Sequence, residues 1–524
     1  MTHETATKPA KPVNSDEPSG PDRLAAIHAL LAELFSGPVI PELVELVMAG
    51  AISQRVVPHG PPLWLLLEGA ASSGKTSAVN LLKPTAKEPG RLSVFATRVT
   101  LGSLSGGFRD NKGRRAPALL REFDTRCWCN TELGALLSGD PKTVKATLGL
   151  MTAAFDGELP SALGNLTEQS SAVLDLTCRF SLIGCVTPAV RQEHAGLMAK
   201  LGPRFLSYRL MALTDAEQRA ASKLSRDPRR EAGLKKLGTL VSLHVRDALK
   251  EAAQVHVSEE AEVVLELLAR LVAHGRAPVD GWGKTLTVGD MENTTRVYQQ
   301  LRVLFVALAC VHGSSTPSPR ALRLVRDVAL SSFEPRRAEA LMAQRMNPVL
   351  AFYPPTPGTS IVYVHGMTAP WLADETGWSE DKAKRVLAEL TVLELYVEAD
   401  PRLRRLDTPE RGPAPALYVP APGLACVLNT TFDMDTARLI TLPEMFWADP
   451  GAFDGRLSPP DARLAALAAE RRAELEAHVR GVAQKVVEAH PDLTLEQASL
   501  LMFRGVTGVD LVGKSETPVS EVSA

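Results

Sequence analysis

The chain has 524 residues, of which 45% are hydrophobic and 23% are charged, and its formal net charge is −2. This length allows roughly three domains, and the composition is that of a globular protein able to bury a core. The near-neutral charge excludes a globally basic nucleic-acid-binding protein, so any basic surface has to be local.

Apolar stretches such as residues 303–311 fall short of the ~20 residues that span a bilayer. Cys127 and Cys129 form a C-x-C sequence with no matching second pair. This spacing disfavours a zinc site and predicts core thiols. We therefore predict a cytoplasmic protein.

The first residues of the chain predict a leader and two helices. Residues 1–22 are polar and rich in Pro, Lys and Glu, which predicts a disordered leader without a secretory signal. Residues 23–60 carry apolar side chains at helical spacing. We expect two short N-terminal helices there, separated by breaks at Gly37-Pro38 and Pro41.

A phosphate-binding loop is predicted next. The apolar run 63–67 leads into Gly69-x-x-x-x-Gly74-Lys75-Thr76, and a helix-like segment follows until Pro84. Small residues let backbone N–H groups turn toward a phosphate, while Lys75 reaches the β- and γ-phosphates and the Thr76 hydroxyl coordinates Mg²⁺. The alternative is a chance glycine-rich turn. The predicted ligands of ATP or GTP are Gly69, Ser72, Ser73, Gly74, Lys75, Thr76 and Ser77.

Residues 61–215 alternate between strand-like and helix-like segments, which predicts an α/β core with a parallel sheet covered by helices. Residues 140–154 are one of the helices that fill the intervals. The strand candidates are residues 63–67, 93–99, 118–123 and 180–186.

The segment 118–123 is the candidate for an acid strand. A nucleotide hydrolase needs an acid at the end of a neighbouring strand to hold Mg²⁺ and orient the attacking water. Glu122 and Asp124 alternate with Phe123, so both side chains could point to one face. Glu122 is the predicted metal ligand of the two. The alternative interpretation is a solvated strand edge.

Three further side chains are candidates for the γ-phosphate. Thr187 follows the strand candidate 180–186, although a Thr before Pro is usually just a strand terminator. Arg204 and Arg209 lie five residues apart in LGPRFLSYRL. A guanidinium can stabilise transition-state charge by bidentate contacts, whereas most arginines form surface salt bridges.

The order of these segments resembles an AAA+ ATPase core, and GPRFLSYRL is similar to the arginine-finger segment of the minichromosome-maintenance-like branch. Residues 62–212 resemble more closely an uncharacterised family of ATP-binding proteins common in phages and mobile elements. Its signposts are a GxxSSGKT loop, an LKDF-like acid strand, an FDG turn, an IGxxTP strand and an LGxRFLxYRL stretch.

The resemblance implies ATP and Mg²⁺ as cofactors and assigns roles to single residues. It places Glu122 as the acid, Thr187 as the sensor and Arg204 as the finger, with Arg209 as second choice. Arg296, in a segment similar to part of the AAA+ lid, is the candidate second sensor. Glu122 in place of the usual Asp departs from the family's pattern.

The second half of the chain predicts a helical lid over 216–335 and a winged-helix domain over 340–425. A short helix, a turn and a longer helix from Ser379 are followed by two strands around an arginine-rich loop. A winged helix can equally contact protein. The predicted DNA-contacting residues are Lys382, Lys384, Arg385, Arg402, Arg404 and Arg405. Residues 426–511 predict a helical extension, and 512–524 a disordered tail.

These patterns lead to three hypotheses. The first is an oligomeric AAA+ ATPase that couples ATP hydrolysis to DNA remodelling or translocation, as a helicase or helicase loader of phage or mobile-element type. A finger supplied by a neighbour implies self-association into a ring. The second is an ATP-gated switch or scaffold whose winged helix binds a protein partner. The third, a small-molecule P-loop kinase, lacks a substrate motif.

Overall fold

A computed structural model gives the fold of the chain. It describes residues 20–36, 40–83, 91–105, 108–109, 115–116, 118–157, 178–201, 204–210, 213–251, 255–282, 285–316, 318–346, 349–352, 363–398, 404–405, 415–420 and 424. The predicted C-terminal extension and tail, and residues 1–19 of the predicted leader, lie outside the described residues.

The helices and strands are numbered in chain order. The helices are α1 Gly20–Leu34, α2 Ile40–Val56, α3 Lys75–Asn80, α4 Leu101–Ser105, α5 Leu119–Phe123, α6 Leu133–Leu137, α7 Pro141–Asp156, α8 Pro188–Glu193, α9 Ala195–Leu201, α10 Asp215–Leu224, α11 Arg230–Glu251, α12 Glu259–Arg276, α13 Thr294–Val311, α14 Pro319–Ser331, α15 Pro335–Met346, α16 Ala369–Thr376 and α17 Glu380–Val392. The strands are β1 Trp64–Glu68, β2 Ser93–Phe95, β3 Phe108–Arg109, β4 Arg115–Ala116, β5 Cys127–Asn130, β6 Ser181–Val186, β7 Phe205–Arg209, β8 Val279–Trp282, β9 Thr285–Val288, β10 Val349–Phe352, β11 Tyr363–Thr368, β12 Tyr396–Glu398, β13 Arg404–Arg405 and β14 Leu417–Pro420.

The chain divides into two compact units. Unit 1 comprises residues 1–204, 210–256 and 303–321, and unit 2 comprises residues 205–209, 257–302 and 322–524. The residues of the predicted lid are divided between the two units, and their role as a lid stays a prediction.

The central sheet and the helices around it form an α/β arrangement, as predicted. Its four strands in unit 1 have the order β2-β5-β6-β1. The pairs β2/β5, β5/β6 and β6/β1 are parallel. Helix α2 packs on β5 and β6, and it is buried along most of its length because apolar residues surround its axis. The predicted break at Gly37-Pro38 lies outside the described residues. The break predicted at Pro41 is wrong, because Pro41 lies in the first turn of α2, where proline is tolerated.

The prediction of a strand at residues 118–123 is wrong, because Leu119–Phe123 is a helix. Leu120 and Phe123 are buried at helical spacing, and the Phe123 ring stacks on Trp128 with centroids 4.8 Å apart. The strand is instead β5, four residues further on. Its cysteines, Cys127 and Cys129, are fully buried thiols, as predicted.

Unit 2 contains the elements predicted for the winged helix. Thr368 caps α16 and Ser379 caps α17, each accepting a hydrogen bond from the amide three residues on. Strands β12 and β14 pair antiparallel, with Glu398 opposite Tyr418. They belong to a sheet of order β12-β14-β11-β10-β13. The hairpin formed by β8 and β9 was not predicted.

A buried ionic cluster, the Glu45 cluster, joins distant parts of unit 1. The Glu45 carboxylate is fully buried in α2. It accepts hydrogen bonds from Arg320 at 2.8–3.0 Å and from His312 Nε2 at 2.9 Å, and its Oε1 lies 2.7 Å from His28 Nε2. The four side chains form the Glu45 cluster, which connects α1, α2 and α14 with the residue that follows α13.

Among the described residues, none of the helices combines the length and the apolar character needed to cross a bilayer.

Candidate nucleotide-binding site

The predicted phosphate loop lies between β1 and α3, at the carboxyl edge of the parallel strands. Glu68 ends β1 opposite Val186 of β6, and the Gly69 amide donates to the Val186 carbonyl at 3.3 Å. A Cβ on Gly69 would lie 2.9 Å from Ser73 Oγ and 3.1 Å from Leu210 Cβ. A side chain at this position would have to displace Ser73 Oγ, so glycine lets the loop fold back closely on itself.

Two left-handed residues shape the loop. Ser72 has φ 64° and Gly74 has φ 88°, and a Cβ on Gly74 would meet Ile40 Cδ1 at 2.7 Å. The amides of Ala71, Ser72 and Gly74 have no acceptor within the described part of the chain. Unpaired amides in such a turn form a concave site for an anion, so the loop fits a phosphate.

The Lys75 ammonium lies inside this loop. It donates to the carbonyls of Gly69 and Ala70, both at 2.7 Å, and to Ser73 Oγ at 3.0 Å. Burial lowers the pKa of Lys75, while the charges of Cys185 and Glu68 act in the opposite direction. A phosphate oxygen is a stronger acceptor than these carbonyls, so an ammonium in this position is ready to exchange one for the other.

The donor set also fits Mg²⁺ carried by a nucleotide. Thr76 is exposed at the start of α3, where its hydroxyl would join phosphate oxygens and waters around the ion. Within the described ranges, no cluster of three or more His, Cys, Asp or Glu side chains could hold a metal by itself. Mg²⁺ therefore fits here as a partner of the nucleotide.

Glu122 and Asp124 do not belong to this site, which corrects the predicted acid pair. Glu122 forms an ion pair with Arg126 at 3.2 Å along the chain before β5. Asp124 accepts a hydrogen bond at 3.1 Å from the amide of Arg179, which precedes β6. Both acids therefore lie at the amino edge of the sheet, roughly 15–20 Å of strand away from the loop. Glu122 is not placed to hold Mg²⁺.

Two polar residues, Asn130 and Thr187, lie at the carboxyl ends of β5 and β6. Asn130 is the last residue of β5 and fully buried, and its amide donates to the Thr97 carbonyl at 3.4 Å. Thr187 follows β6 and caps α8 through the Val190 amide. The end of β5 thus carries a neutral amide where a hydrolase of this kind usually has a carboxylate.

Glu68 and Arg191 are site residues that the sequence analysis missed. Glu68 is the last residue before the loop, and Arg191 lies on α8, directly after β6. Their side chains form an ion pair and are only 4% and 17% exposed. The signal in the sequence is an acid that ends an otherwise apolar run immediately before Gly69.

The predicted finger arginines have partners in their own chain. Arg204 is 12% exposed, pairs with Asp156 at 2.6 Å and lies over the Phe155 ring. Arg209 donates to the carbonyls of Pro335 and Ser331 in unit 2. Arg204 is therefore not presented to a neighbouring subunit in this conformation.

Arg296, the candidate second sensor, lies in the first turn of α13. Burial raises the pKa of nearby Glu292, while Arg276 and Arg296 lower it. Arg296 is thus part of an electrostatic cluster in unit 2, and its role toward a nucleotide stays a prediction.

The basic residues of α17 each have a local partner. The Lys382 ammonium lies 4.0 Å from the centre of the Trp378 ring. Lys384 pairs with Glu380 at 2.8 Å, and Arg385 pairs with Glu389 at 3.3 Å. Both basic side chains remain more than half exposed. Arg404 and Arg405 form β13 opposite β10, and Arg402 lies outside the described residues.

No family model matches the chain, and neither does any curated protein. Solved structures similar to it include the crystal structure of a full-length MCM homolog from Methanopyrus kandleri, at 14% identity and a TM-score of 0.35. The alignment covers 62% of this chain and 64% of the homolog. At this identity and score the likeness establishes neither a shared family nor a shared function.

Proposed function

We propose that the chain is a P-loop ATPase that binds ATP with Mg²⁺ at the loop between β1 and α3. The observation that carries the proposal is the loop itself, which combines unpaired amides with the Lys75 ammonium held by the Gly69 and Ala70 carbonyls. This is the arrangement that a triphosphate requires, because its charge has to be matched by donors already in position.

Each residue of the site has its own role in nucleotide binding. Amides of the loop bind the β-phosphate, Lys75 bridges the β- and γ-phosphates, and Thr76 contributes its hydroxyl to Mg²⁺. Mg²⁺ neutralises phosphate charge when it is bound with the nucleotide. Thr187, which follows the strand beside β1, is the proposed contact of the γ-phosphate.

We further propose that ATP turnover is coupled to DNA remodelling or translocation, with unit 2 supplying the DNA contact. The supporting observation is the capped helix pair α16–α17 followed by the β12–β14 strands, which is the element order of a winged helix. The motif set of residues 62–212 supports a helicase or helicase-loader role of phage or mobile-element type, acting as a ring.

A second candidate function is an ATP-gated switch whose winged helix binds a protein partner. Two observations favour it. Asn130 supplies no negative charge at the end of β5, which favours slow hydrolysis. Arg204 is held by Asp156 in the same chain, which leaves the ring without its predicted finger.

ATPase rates with and without forked DNA, combined with native mass, test the two candidates. A DNA-coupled motor is expected to hydrolyse ATP faster with DNA and to gain mass in multiples of the 56.3 kDa chain when ATP is added. A monomeric mass together with a turnover that no DNA form changes would contradict the motor and favour the switch.

The exposed face of α17 provides a separate prediction for DNA binding. The exposed Lys384–Glu380 pair contributes only about 0.2–1 kcal/mol, so a phosphate can displace Glu380. Arg385 is 58% exposed and can also reach a phosphate, although its partner Glu389 is buried. The double variant Lys384→Gln, Arg385→Gln is expected to weaken binding to every DNA sequence and to reduce the slope of log affinity against log salt by about 2. Fluorescence anisotropy across a salt series measures both.

Arg270→Gln is the matched control for that measurement. Arg270 is exposed on α12 and pairs with exposed Glu266 one turn away at 4.0 Å, much as Lys384 pairs with Glu380. Arg270→Gln should leave the DNA affinity and the slope of log affinity against log salt unchanged. An unchanged slope in the double variant as well would exclude α17 as the DNA contact.

A further inference from the structure

The Glu68–Arg191 pair lies beside the loop without being part of the phosphate-binding motif. Glu68 is bonded through the chain to Gly69, and its charge acts on the Lys75 ammonium. Among the described residues, Glu68 is the buried acid at the carboxyl ends of β1, β5 and β6, because β5 ends in Asn130 and β6 ends in Val186. An arginine paired with this acid is therefore close to the triphosphate tail.

The backbone holds Arg191 at this edge. Helix α8 starts at its cap Thr187, directly after β6, and the Arg191 amide donates to the Thr187 carbonyl at 3.0 Å. Strand β6 is hydrogen-bonded to β1, with Val186 opposite Glu68. The guanidinium thus approaches the end of β1, where the loop begins, from the neighbouring strand β6.

An exchange of partner at Arg191 is energetically accessible. Desolvation offsets much of the attraction within a buried ion pair, and the Lys75 charge still acts on Glu68 once Arg191 has left it. The guanidinium fork fits the oxygens of a phosphate as well as those of a carboxylate. A terminal phosphate carries more negative charge than Glu68 and can take over the same donors.

We propose that Arg191 senses the γ-phosphate from within its own chain, leaving Glu68 when a triphosphate binds and returning to Glu68 when a diphosphate is bound. The inference rests on the proposed nucleotide site. It assigns to Arg191 a contact that the sequence analysis gave to Arg204, and it makes Glu68 the residue that holds Arg191 in the diphosphate state.

Calorimetric titration with ADP and with a non-hydrolysable ATP analogue, both with Mg²⁺, tests the proposal. Arg191→Gln is expected to weaken binding of the ATP analogue by roughly 10–100-fold, the range for a lost hydrogen bond to a charged group. The affinity for ADP should change less than twofold. Glu68→Gln removes the competing negative charge, so the analogue should bind at least as tightly as to the natural chain.

The control is Arg179→Gln, which changes an arginine at the opposite end of β6. Arg179 donates to the Gly60 and His59 carbonyls at 3.4–3.5 Å, away from the loop. It should leave the ratio of the two affinities unchanged. Equal weakening of both nucleotides in Arg191→Gln, or no weakening of either, would overturn the proposal and leave a purely structural ion pair.

Two outcomes separate this inference from the proposed function. A natural chain that binds neither nucleotide overturns the nucleotide site and the sensor together, whereas a chain that binds both with a ratio insensitive to Arg191 overturns the sensor alone. If Arg191→Gln does not fold, the affinity ratio of the Arg191→Lys variant tests the sensor role instead. A fall of threefold or more in the analogue-to-ADP affinity ratio supports the sensor, and an unchanged ratio overturns it.

Discussion

Replacement of Lys75 by alanine is expected to lower ATP turnover by about 10²–10³-fold, the magnitude for removing one preorganised donor from developing charge. The ammonium is the positive group inside the loop, where it is held by the Gly69 and Ala70 carbonyls and Ser73. Alanine leaves the γ-phosphate without that donor. Steady-state phosphate release measures the change in turnover, and equilibrium binding of a fluorescent ATP analogue measures the change in affinity.

Lys83→Ala serves as the control for Lys75→Ala. Lys83 follows α3 in the chain, and its ammonium lies 5.6 Å from the centre of the Phe95 ring. This exposed side chain has no role in the proposed site, so turnover should stay within twofold of the natural chain. ATP binding that survives unchanged in Lys75→Ala would contradict the assignment of the loop as a phosphate site.

Replacement of Glu45 by alanine is expected to lower the free energy of unfolding by about 3–5 kcal/mol, because it leaves buried positive groups without their counter-charge. Arg320 makes its short contacts to Glu45 with two nitrogens, and His312 is 7% exposed. Urea unfolding followed by tryptophan fluorescence measures the loss. Glu33→Ala, an exposed change on α1, should stay within about 0.5 kcal/mol.

The pH dependence of the Glu45 cluster has a definite sign. Burial by itself raises the pKa of Glu45, but the hydrogen bonds from His28, His312 and Arg320 outweigh it and hold the pKa below its ordinary value. The stabilisation is therefore complete above the unfolded-state pKa of about 4.3 and is lost as the pH falls through the lowered folded-state pKa. The stability difference between the natural chain and Glu45→Gln should be constant near neutral pH and should shrink below about pH 4. A difference that does not shrink in acid would exclude the Glu45 carboxylate as its source.

The phosphate loop could be predicted because its chemistry is local. Strand, loop glycines, Lys75 and the following helix are contiguous, so spacing alone identifies them. Strands β1 and β6 are confirmed near their predicted bounds, since each is a continuous apolar run buried on both faces.

The acid strand could not be located by the same means. Residues 118–123 and the short β5 both carry apolar residues, and only packing of Leu120 and Phe123 into the aromatic core decides that the first is a helix. The Glu68–Arg191 and Arg204–Asp156 pairs join residues 123 and 48 positions apart. Such pairs depend on strand order, which local periodicity does not contain.

The Glu45 cluster has a consequence for biosynthesis. His312 and Arg320 lie 267 and 275 residues downstream of Glu45. At translation rates of about 5–20 residues per second, the ribosome needs roughly 13–55 s to deliver them after Glu45 has been made. Until then His28 is the one partner in the cluster that Glu45 can reach, and burial of α2 leaves the carboxylate without its arginine. Nascent chains that end before Arg320 therefore keep an apolar helix accessible to molecular chaperones.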